Sequence, residues 1–532
     1  MNGAASFVLH THLPYCRLAG RWPHGEEWLH EAMLECYVPL IRGFHRLVGE
    51  GLPSLGVTID VTPILAEQLA DATIREHFRD YMAGQIARAQ SDLVRFKAVG
   101  DERAEIAAFH LDRYLSLQGF YERELAADLL RGLADLEACG AIEIATSAAT
   151  HAYLPLLSGP EPVHFQVATG INSHRRLFGR QPRAFWLPEC AYRPGIEREL
   201  EAQGVALFFT DSHLVAGGSV PADIARVGLY PGHAASRPSS AHPAVGSTFE
   251  AYTAGQSHVA VLARNERTGS QVWSAAHGYP GDPAYSEFHK KDDQSGLRYW
   301  RVTGAGTGLG EKHLYNPRAA AVQAEQHAAH FHTLVRAALE QHEAHSGSPG
   351  ILLSAYDTEL FGHWWLEGVE WLTATIRALA ADPDIAVMPA SEAVRQQPPA
   401  RAIQMQPGSW GAGGDDRTWL NDDTRWMWDA IAAREERARG LLTQDHPAAR
   451  QLARELLLLQ SSDWEFLVTT AQAREYAEGR FREHADRFDA LADAMDADAA
   501  GLDALANELF ALDNPFPDID PTLYAGAQGG RS

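Results

Sequence analysis

Cysteine is scarce: Cys16, Cys36, Cys139 and Cys190 are the only four in 532 residues. None stands in a C-x-x-C pair, so the sequence offers no disulfide framework, no zinc ribbon and no dithiol redox motif. No run of about 18 apolar residues occurs, and the N-terminus has neither a basic n-region nor an apolar h-region. The expectation is a soluble, cytoplasmic protein without a membrane partner. Positive charge is also short. The 45 Lys and Arg face 69 Asp and Glu, a formal net charge of −24. That balance argues against nucleic acid, whose phosphates call for clustered cations, and against anionic membrane surfaces. There is no G-x-G-x-x-G after a strand, no P-loop, no G-x-S-x-G and no H-E-x-x-H. What remains is a neutral or small-molecule partner.

What the chain does have is ordinary globular composition, 45% hydrophobic and 21% charged, with 13 Trp, 16 Tyr and 20 Phe. The aromatics point to flat, apolar-faced ligands, although most such rings belong to the core. At about 100–200 residues per domain the length suggests roughly three domains, or one large α/β barrel and a remainder. Short apolar runs predict strands at Ser6–His10, Leu55–Ile59, Ile142–Thr146, Ala184–Leu187, Ala206–Thr210, Val259–Ala263 and Ile351–Ser354, with a weak eighth at Ile385–Met388. Most are apolar on both faces, as strands covered on both sides are. Helical patterns fall between them at Pro63–Ala72, in a pair from about Glu102 to Cys139, and at Pro317–His342. This alternation gives a parallel sheet, and seven or eight units favour a barrel with its active site at the C-terminal strand ends.

Two stretches break the rhythm. Gly217–Thr253 is rich in Gly, Pro, Ser and Ala, the composition of a lid or linker. Gln396–Asp416, with Pro398, Pro399, Pro407 and the Gly408–Gly414 run, marks a boundary. Beyond it the pattern is helical, at Arg450–Gln460, Asp463–Arg482 and Asp486–Met495, closing in an extended tail at Asp513–Tyr524.

The chemistry gathers at predicted strand ends. His10 and His12 are two apart and so point to the same side of an extended chain. They are either satisfied structural histidines, part of a metal site lacking a third ligand, or hydrogen-bonding groups for a hydroxylated substrate. Glu189 directly follows the strand ending in Trp186-Leu187-Pro188; its bland reading is a capping residue or a partner of Arg193. Asp357 holds the equivalent place after Ile351–Ser354, where it competes with a plain helix N-cap. Two carboxylates delivered to one mouth from separate strands are what glycosidic-bond chemistry requires. Trp22, Trp186, Trp273, Trp364, Trp365, Trp410 and Trp419 all lie in strand-end or loop contexts, where rings can pack on sugar faces. His151, after the third strand, is a further polar lining candidate.

At these segments the chain resembles glycoside hydrolase family 57, and among its members those that branch glucans. The resemblance runs through His10-Thr11-His12-Leu13-Pro14-Tyr15, Trp22-Pro23, Thr62-Pro63 to Leu69, Trp186-Leu187-Pro188-Glu189, Leu262-Ala263-Arg264-Asn265 and Gln271-Val272-Trp273-Ser274. It continues in Tyr356-Asp357 through Trp365, Gly408-Ser409-Trp410-Gly411 and Ser462-Asp463-Trp464. It covers essentially the whole chain, and its specificity lies in the ordered set.

The resemblance implies an α/β fold, a seven-stranded (β/α) barrel with a small inserted region, followed by an all-helical C-terminal domain. Residues 1–400 would be the catalytic barrel, with the insertion and lid loop at about 190–253, and 401–532 the helical domain contributing to the cleft. By the same resemblance Glu189 is the nucleophile, Asp357 the general acid/base and Tyr230 a lid tyrosine. His10, His12, Trp22, His151, Arg264, Trp273, Trp364, Trp410, Trp419 and Asp463 line the glucan site. No metal or cofactor is implied. The partners are an α-1,4-glucan donor and acceptor, cut at an α-1,4 bond and rejoined at a 6-hydroxyl, as in glycogen biosynthesis. A 4-α-glucanotransferase or α-amylase of the family is the alternative, and a metal-dependent polysaccharide deacetylase or hydrolase a more distant one. The oligomeric state stays open.

Overall fold

Gly3–Thr11 (β1) carries a small or apolar residue at most positions and is buried at all nine, which suits it to the centre of a sheet covered on both faces. The computed structural model describes residues 3–217, 246–274, 277–443 and 445–526. In chain order the other strands are Val57–Val61 (β2), Ile142–Ser147 (β3), Ala184–Trp186 (β4), Leu207–Thr210 (β5), Tyr252–Ala254 (β6), Ala260–Ala263 (β7), Gly350–Asp357 (β8), Ile385–Val387 (β9) and Ala402–Ile403 (β10). All eight expected strands are present. The two-to-three-residue β6 and β10 are too short to leave a periodic signal.

Seven parallel strands lie side by side in the order β8, β1, β2, β3, β4, β5, β7; β6 runs antiparallel on β7, and β10 follows β6. Among the described residues no ladder joins β7 to β8, which meet through single bonds such as Asn265 N–H to the Leu353 carbonyl at 2.8 Å. The sheet is therefore curled into a half-barrel rather than closed by a continuous ladder, a departure from the expected barrel. After four residues β7 gives way to the helix Glu266–Trp273, whose N-terminus Asn265 caps. The weak eighth strand, β9, pairs with Gly3–Ala5 of β1, below the point where β2 takes over the same edge at Phe7.

Helices cover the sheet. The pair expected between Glu102 and Cys139 is present as Arg103–Arg123 and Leu129–Ala138. They are preceded by an unexpected 28-residue helix, Ala72–Val99, which buries only about one residue per turn and so shows little amphipathic pattern. A second surprise is the irregular segment between Trp273 and the helix Pro317–Ser346, held by short 3-10 turns and bridges such as Ser286 to Arg301.

The C-terminal region is helical: Arg425–Leu441, Pro447–Leu459, Asp463–Thr470, Arg474–Asp496 and Leu502–Leu512. The single helix expected over Asp463–Arg482 is broken at Ala471, whose φ of 56° is left-handed. Tyr15, Ile64, Ala149 and Phe165 from the sheet side share one buried cluster with Leu452, Leu456, Phe488 and Leu491. Burying each such side chain stabilises the contact by about 1.5–3 kcal/mol. This packing sets Ser461–Asp463 against the end of the sheet, where Ser461 bridges Ala152.

Candidate active site

The parallel register places His10 beside Asp60 of β2 and beside Asp357 of β8. Paired residues in a parallel sheet face the same side, so one row carries an acid, an imidazole and a second acid. His10 Nδ1 lies 2.6 Å from Asp60 Oδ2. Burial pushes the Asp60 carboxyl well up and the His10 imidazole well down, in each case against the charged form.

A ladder of rings rises from this row. His10 stacks on Trp186 at 4.6 Å and on His151 at 5.0 Å, and His151 stacks on His12 at 3.9 Å. His151 has a left-handed φ of 57°; Ser462 fixes it from the helical region by donating its hydroxyl to the His151 carbonyl at 2.7 Å. His151 Nδ1 also lies 3.0 Å from Ser462 Oγ. Burial, with the neighbouring histidines, keeps His151 neutral. His12 differs. Burial alone would lower its pKa, but Asp463, 3.0 Å from Nε2, together with Glu189 and Glu359, raises it above the ordinary histidine value. An imidazole of raised pKa therefore sits among carboxyl groups, and one of them comes from the C-terminal helices.

Glu189 follows β4 in a left-handed conformation, φ 60° and ψ 22°, and Cys190 after it has φ 50°. Each such residue costs roughly 1–3 kcal/mol and persists only where the surroundings enforce it. Here the 408–414 turn does so: Gly408 and Tyr192 exchange backbone bonds of 2.8 and 3.1 Å, and Trp410 N–H reaches the Glu189 carbonyl at 3.0 Å. The Trp410 indole N–H then donates to Glu189 Oε2 at 2.5 Å, while His151 Nδ1 lies 4.0 Å from Glu189 Oε1. A hydrogen bond to a charged acceptor is worth about 1.5–3 kcal/mol. Trp410→Phe is accordingly expected to cut turnover roughly ten- to hundredfold, measured by steady-state kinetics.

These groups meet in one cleft of about 370 Å³, lined by His10, His12, His151, Glu189, Asp357, Trp364, Trp410 and Asp463. Four other expected residues lie outside its lining. Arg264 pairs with Asp211 at 2.6 Å and sits 5.6 Å from the Trp410 ring, propping that ring from behind. Trp273 is buried 6.4 Å from Trp364, backing it in turn. Trp419 is fully buried against Tyr153 and offers no face to a ligand. It wedges beneath the turn so tightly that a Cβ at Gly411 would lie 2.5 Å from its ring. Trp22 is 78% exposed and lines a neighbouring cavity. Tyr230 falls outside the described residues.

The cleft also takes in residues to which the sequence reading gave no role, among them Phe288 of the irregular segment, Phe466 of the helical region, and Glu359. The signal for Glu359 was available: it stands two residues after Asp357, the spacing that singled out His10 and His12. Tyr37 donates its hydroxyl to Glu359 Oε1 at 2.5 Å. Burial, reinforced by Asp357, raises the Glu359 carboxyl from 4.5 to about 8.

Because this folded-state value lies above that of the unfolded chain, the contribution is most favourable below about pH 4.5. It is lost at about 1.4 kcal/mol per pH unit until the group ionises in the folded protein as well. Glu359→Gln removes that loss while still accepting from Tyr37. Its melting temperature relative to the parent is expected to rise steadily between pH 5 and pH 8 in a thermal unfolding series.

His10 and His12 are each engaged by a carboxyl group, Asp60 and Asp463 respectively. Among the described residues, the group of three close metal-ligating side chains is Glu455, His484 and Asp513 in the helical region, and Arg480 and Arg487 already pair with Asp513 there.

Acids, histidines and tryptophans at the C-terminal edge of a curled parallel sheet define an enzyme that works on carbohydrate chains. The chain belongs to glycosyl hydrolase family 57, whose profile matches residues 6–406. A second profile, described as 1,4-alpha-glucan branching enzyme, C-terminal, matches residues 424–524. The chain is 40% identical over 514 residues to the 1,4-alpha-glucan branching enzyme TK1436 of Thermococcus kodakarensis, an overlap covering 92% of this chain and 73% of that one. The crystal structure of TK1436 in complex with glucose and additives superposes with a TM-score of 0.90 at 38% identity, over 98% of this chain and 96% of that one. The α-amylase AmyC of Thermotoga maritima superposes with a TM-score of 0.84 at 27% identity, over 99% of each chain.

Proposed function

We propose that this protein is a 1,4-α-glucan branching enzyme that works by retaining double displacement, with Glu189 as nucleophile and Asp357 as general acid/base. The observation that carries the assignment of roles is that both carboxylates line one cleft from the ends of separate strands, among Trp364, Trp410 and three histidines. Asp357 donates its proton to the glycosidic oxygen as Glu189 attacks the anomeric carbon; the α-1,4 C–O bond breaks and a covalent glucosyl–enzyme forms. The carboxylate of Asp357 then takes the proton of an incoming glucan 6-hydroxyl, whose oxygen displaces Glu189 and leaves an α-1,6 branch with net retention. The scheme calls for a carboxyl separation of about 5–5.5 Å.

The indole of Trp410 holds Glu189 in place and stabilises its negative charge both before attack and on release. The neutral His10 and His151 offer donors and acceptors to sugar hydroxyls, and His12, its pKa raised by Asp463, adds a further donor between the acids. Residues 1–400 form the catalytic half-barrel, with the seven parallel strands as its frame and about 190–253 as inserted region and lid. Residues 401–532 complete the cleft through Trp410 and Asp463, and Tyr230 keeps the proposed place of a lid tyrosine. A neutral polymer also suits a chain of net charge −24, since its binding meets no field.

The test is to incubate amylose with the enzyme, debranch the product and measure α-1,6 linkages by proton NMR. New branches support the reading. Shortened linear chains alone would make the protein an amylase, and redistributed linear chains a 4-α-glucanotransferase.

A further inference from the structure

Beside the catalytic cleft lies a second cavity, of about 180 Å³. Its walls come from the helix Glu26–Ala32 and the turn after it, from the helices Ala72–Val99 and Arg103–Arg123, and from the irregular segment around Arg298. Three glutamates spaced four apart, Glu27, Glu31 and Glu35, form one stripe along it. Glu31 lines both this cavity and the cleft, so the two spaces adjoin.

We propose that this cavity is a second glucosyl-binding pocket, which holds a remote unit of the glucan chain whose reacting end occupies the cleft. The proposal rests on the branching reading for the identity of the chain, but its observations are separate from the catalytic residues. Gln85 and Tyr114 are each only 7% exposed and line the cavity, yet neither the Gln85 amide nor the Tyr114 hydroxyl is hydrogen-bonded to any described residue. Both side chains are more than nine-tenths buried while their polar tips stay open to the cavity, so two such tips without a protein partner mark a place for a hydrogen-bonding ligand.

The charges say which kind. Arg298 is committed to Glu35 at 3.3 Å and to the His363 carbonyl at 3.0 Å, Arg113 to the Glu35 carbonyl, and Lys291 stands 3.9 Å from Glu31. The fourth cation, Arg88, faces Glu27; with four cations against three glutamates, each cation set against a protein oxygen, the cavity offers neither a free cluster of cations for a phosphate nor a free cluster of carboxylates for a metal ion. What it presents is an amide, a phenol and an exposed indole, Trp22, along its wall. A few fixed polar groups beside an aromatic face suit a neutral ring bearing hydroxyls. Because the cleft and cavity share Glu31, a chain long enough to reach both would bind more tightly than one filling the cleft alone.

The test uses full-length protein in a Glu189→Gln background, which stops turnover, and titrates maltotriose and a maltooligosaccharide of about 17 units by calorimetry. Gln85→Leu with Tyr114→Phe is expected to weaken the long probe about tenfold and leave maltotriose unchanged. Tyr114→Phe alone, which removes one oxygen, is expected to weaken the long probe a few-fold, so the outcome does not hinge on how the double variant folds. Equal affinity of parent and variants for the long probe overturns the pocket, as does an equal loss for both probes, which would mean a disturbed cleft. An enzyme that forms no α-1,6 bonds yet shows the length-selective loss would sink the branching reading and leave the pocket standing.

Discussion

Replacing Glu189 by Gln is expected to lower the rate of α-1,6 bond formation by at least three to four orders of magnitude, because no covalent glucosyl–enzyme can form. Gln preserves the volume, and its amide oxygen still accepts the Trp410 indole N–H that now lies 2.5 Å from Glu189 Oε2. The strained backbone at φ 60° is held by Gly408 and Trp410 rather than by the carboxylate, so the fold should survive. Loss of rate with an unchanged melting temperature and unchanged glucan binding is therefore the signature sought. Shortening to Ala goes further. It opens a space from which azide can attack the anomeric carbon directly, and an activated α-glucosyl donor should then yield the inverted β-glucosyl azide. Parent-like branching in Glu189→Gln, or an α-azide from Glu189→Ala, would remove Glu189 from the role of nucleophile.

The legible part of this site was the part written in short-range order. His10 and His12 announce themselves by alternation, and Glu189 and Asp357 by following apolar runs that could only be strands. Each of these four lines the cleft. The tryptophans were harder, because an indole reads the same in sequence whether it faces a ligand or a core. Trp364 and Trp410 reach the cleft, whereas Trp273 and Trp419 stand behind them and fix their positions. Arg264 is similar, since its charge is spent on Asp211. What stayed hidden depended on contacts between distant segments. Nothing near Phe288 marks it as a cleft residue, for its segment has no periodicity and is placed by bridges such as Ser286 to Arg301. The fold shows the same division. Eight of the ten described strands were readable, but the short β6 and β10 were not, the long helix Ala72–Val99 hid behind a thin apolar stripe, and the missing ladder between β7 and β8 is a property of closure that no local pattern encodes.

The dependence on distant contacts also explains why the helical region belongs to the chemistry. The pKa of His12 is held above its ordinary value chiefly by Asp463, 451 positions away in sequence, whose charge and hydrogen bond favour the protonated ring. His151 keeps its left-handed backbone through Ser462. Two residues in a row at the start of one C-terminal helix thus raise the pKa of one imidazole and fix the orientation of another, and both rings stack within the same ladder. The sheet supplies the two acids of the cleft, and the helices shape what surrounds them.

Asp357 should respond to substitution in a way that separates it from Glu189. With Asp357→Ala, the first step loses its acid but not its nucleophile, so natural glucans, whose leaving oxygen must be protonated, should react at least a thousandfold more slowly. A donor with a good leaving group, such as a fluoride or a nitrophenyl ether, escapes that requirement and should still load Glu189. The second step then stalls, because no carboxylate remains to deprotonate the acceptor 6-hydroxyl, and the glucosyl–enzyme should accumulate to a level visible by intact mass. Azide needs no deprotonation and fits the vacated position, so it should restore turnover and give the α-glucosyl azide, with configuration retained. The paired outcome, β from the Glu189 variant and α from the Asp357 variant, follows only if the two carboxylates act from opposite faces of the same anomeric carbon. A single stereochemistry from both variants would rule out double displacement, and with it transfer through a covalent intermediate.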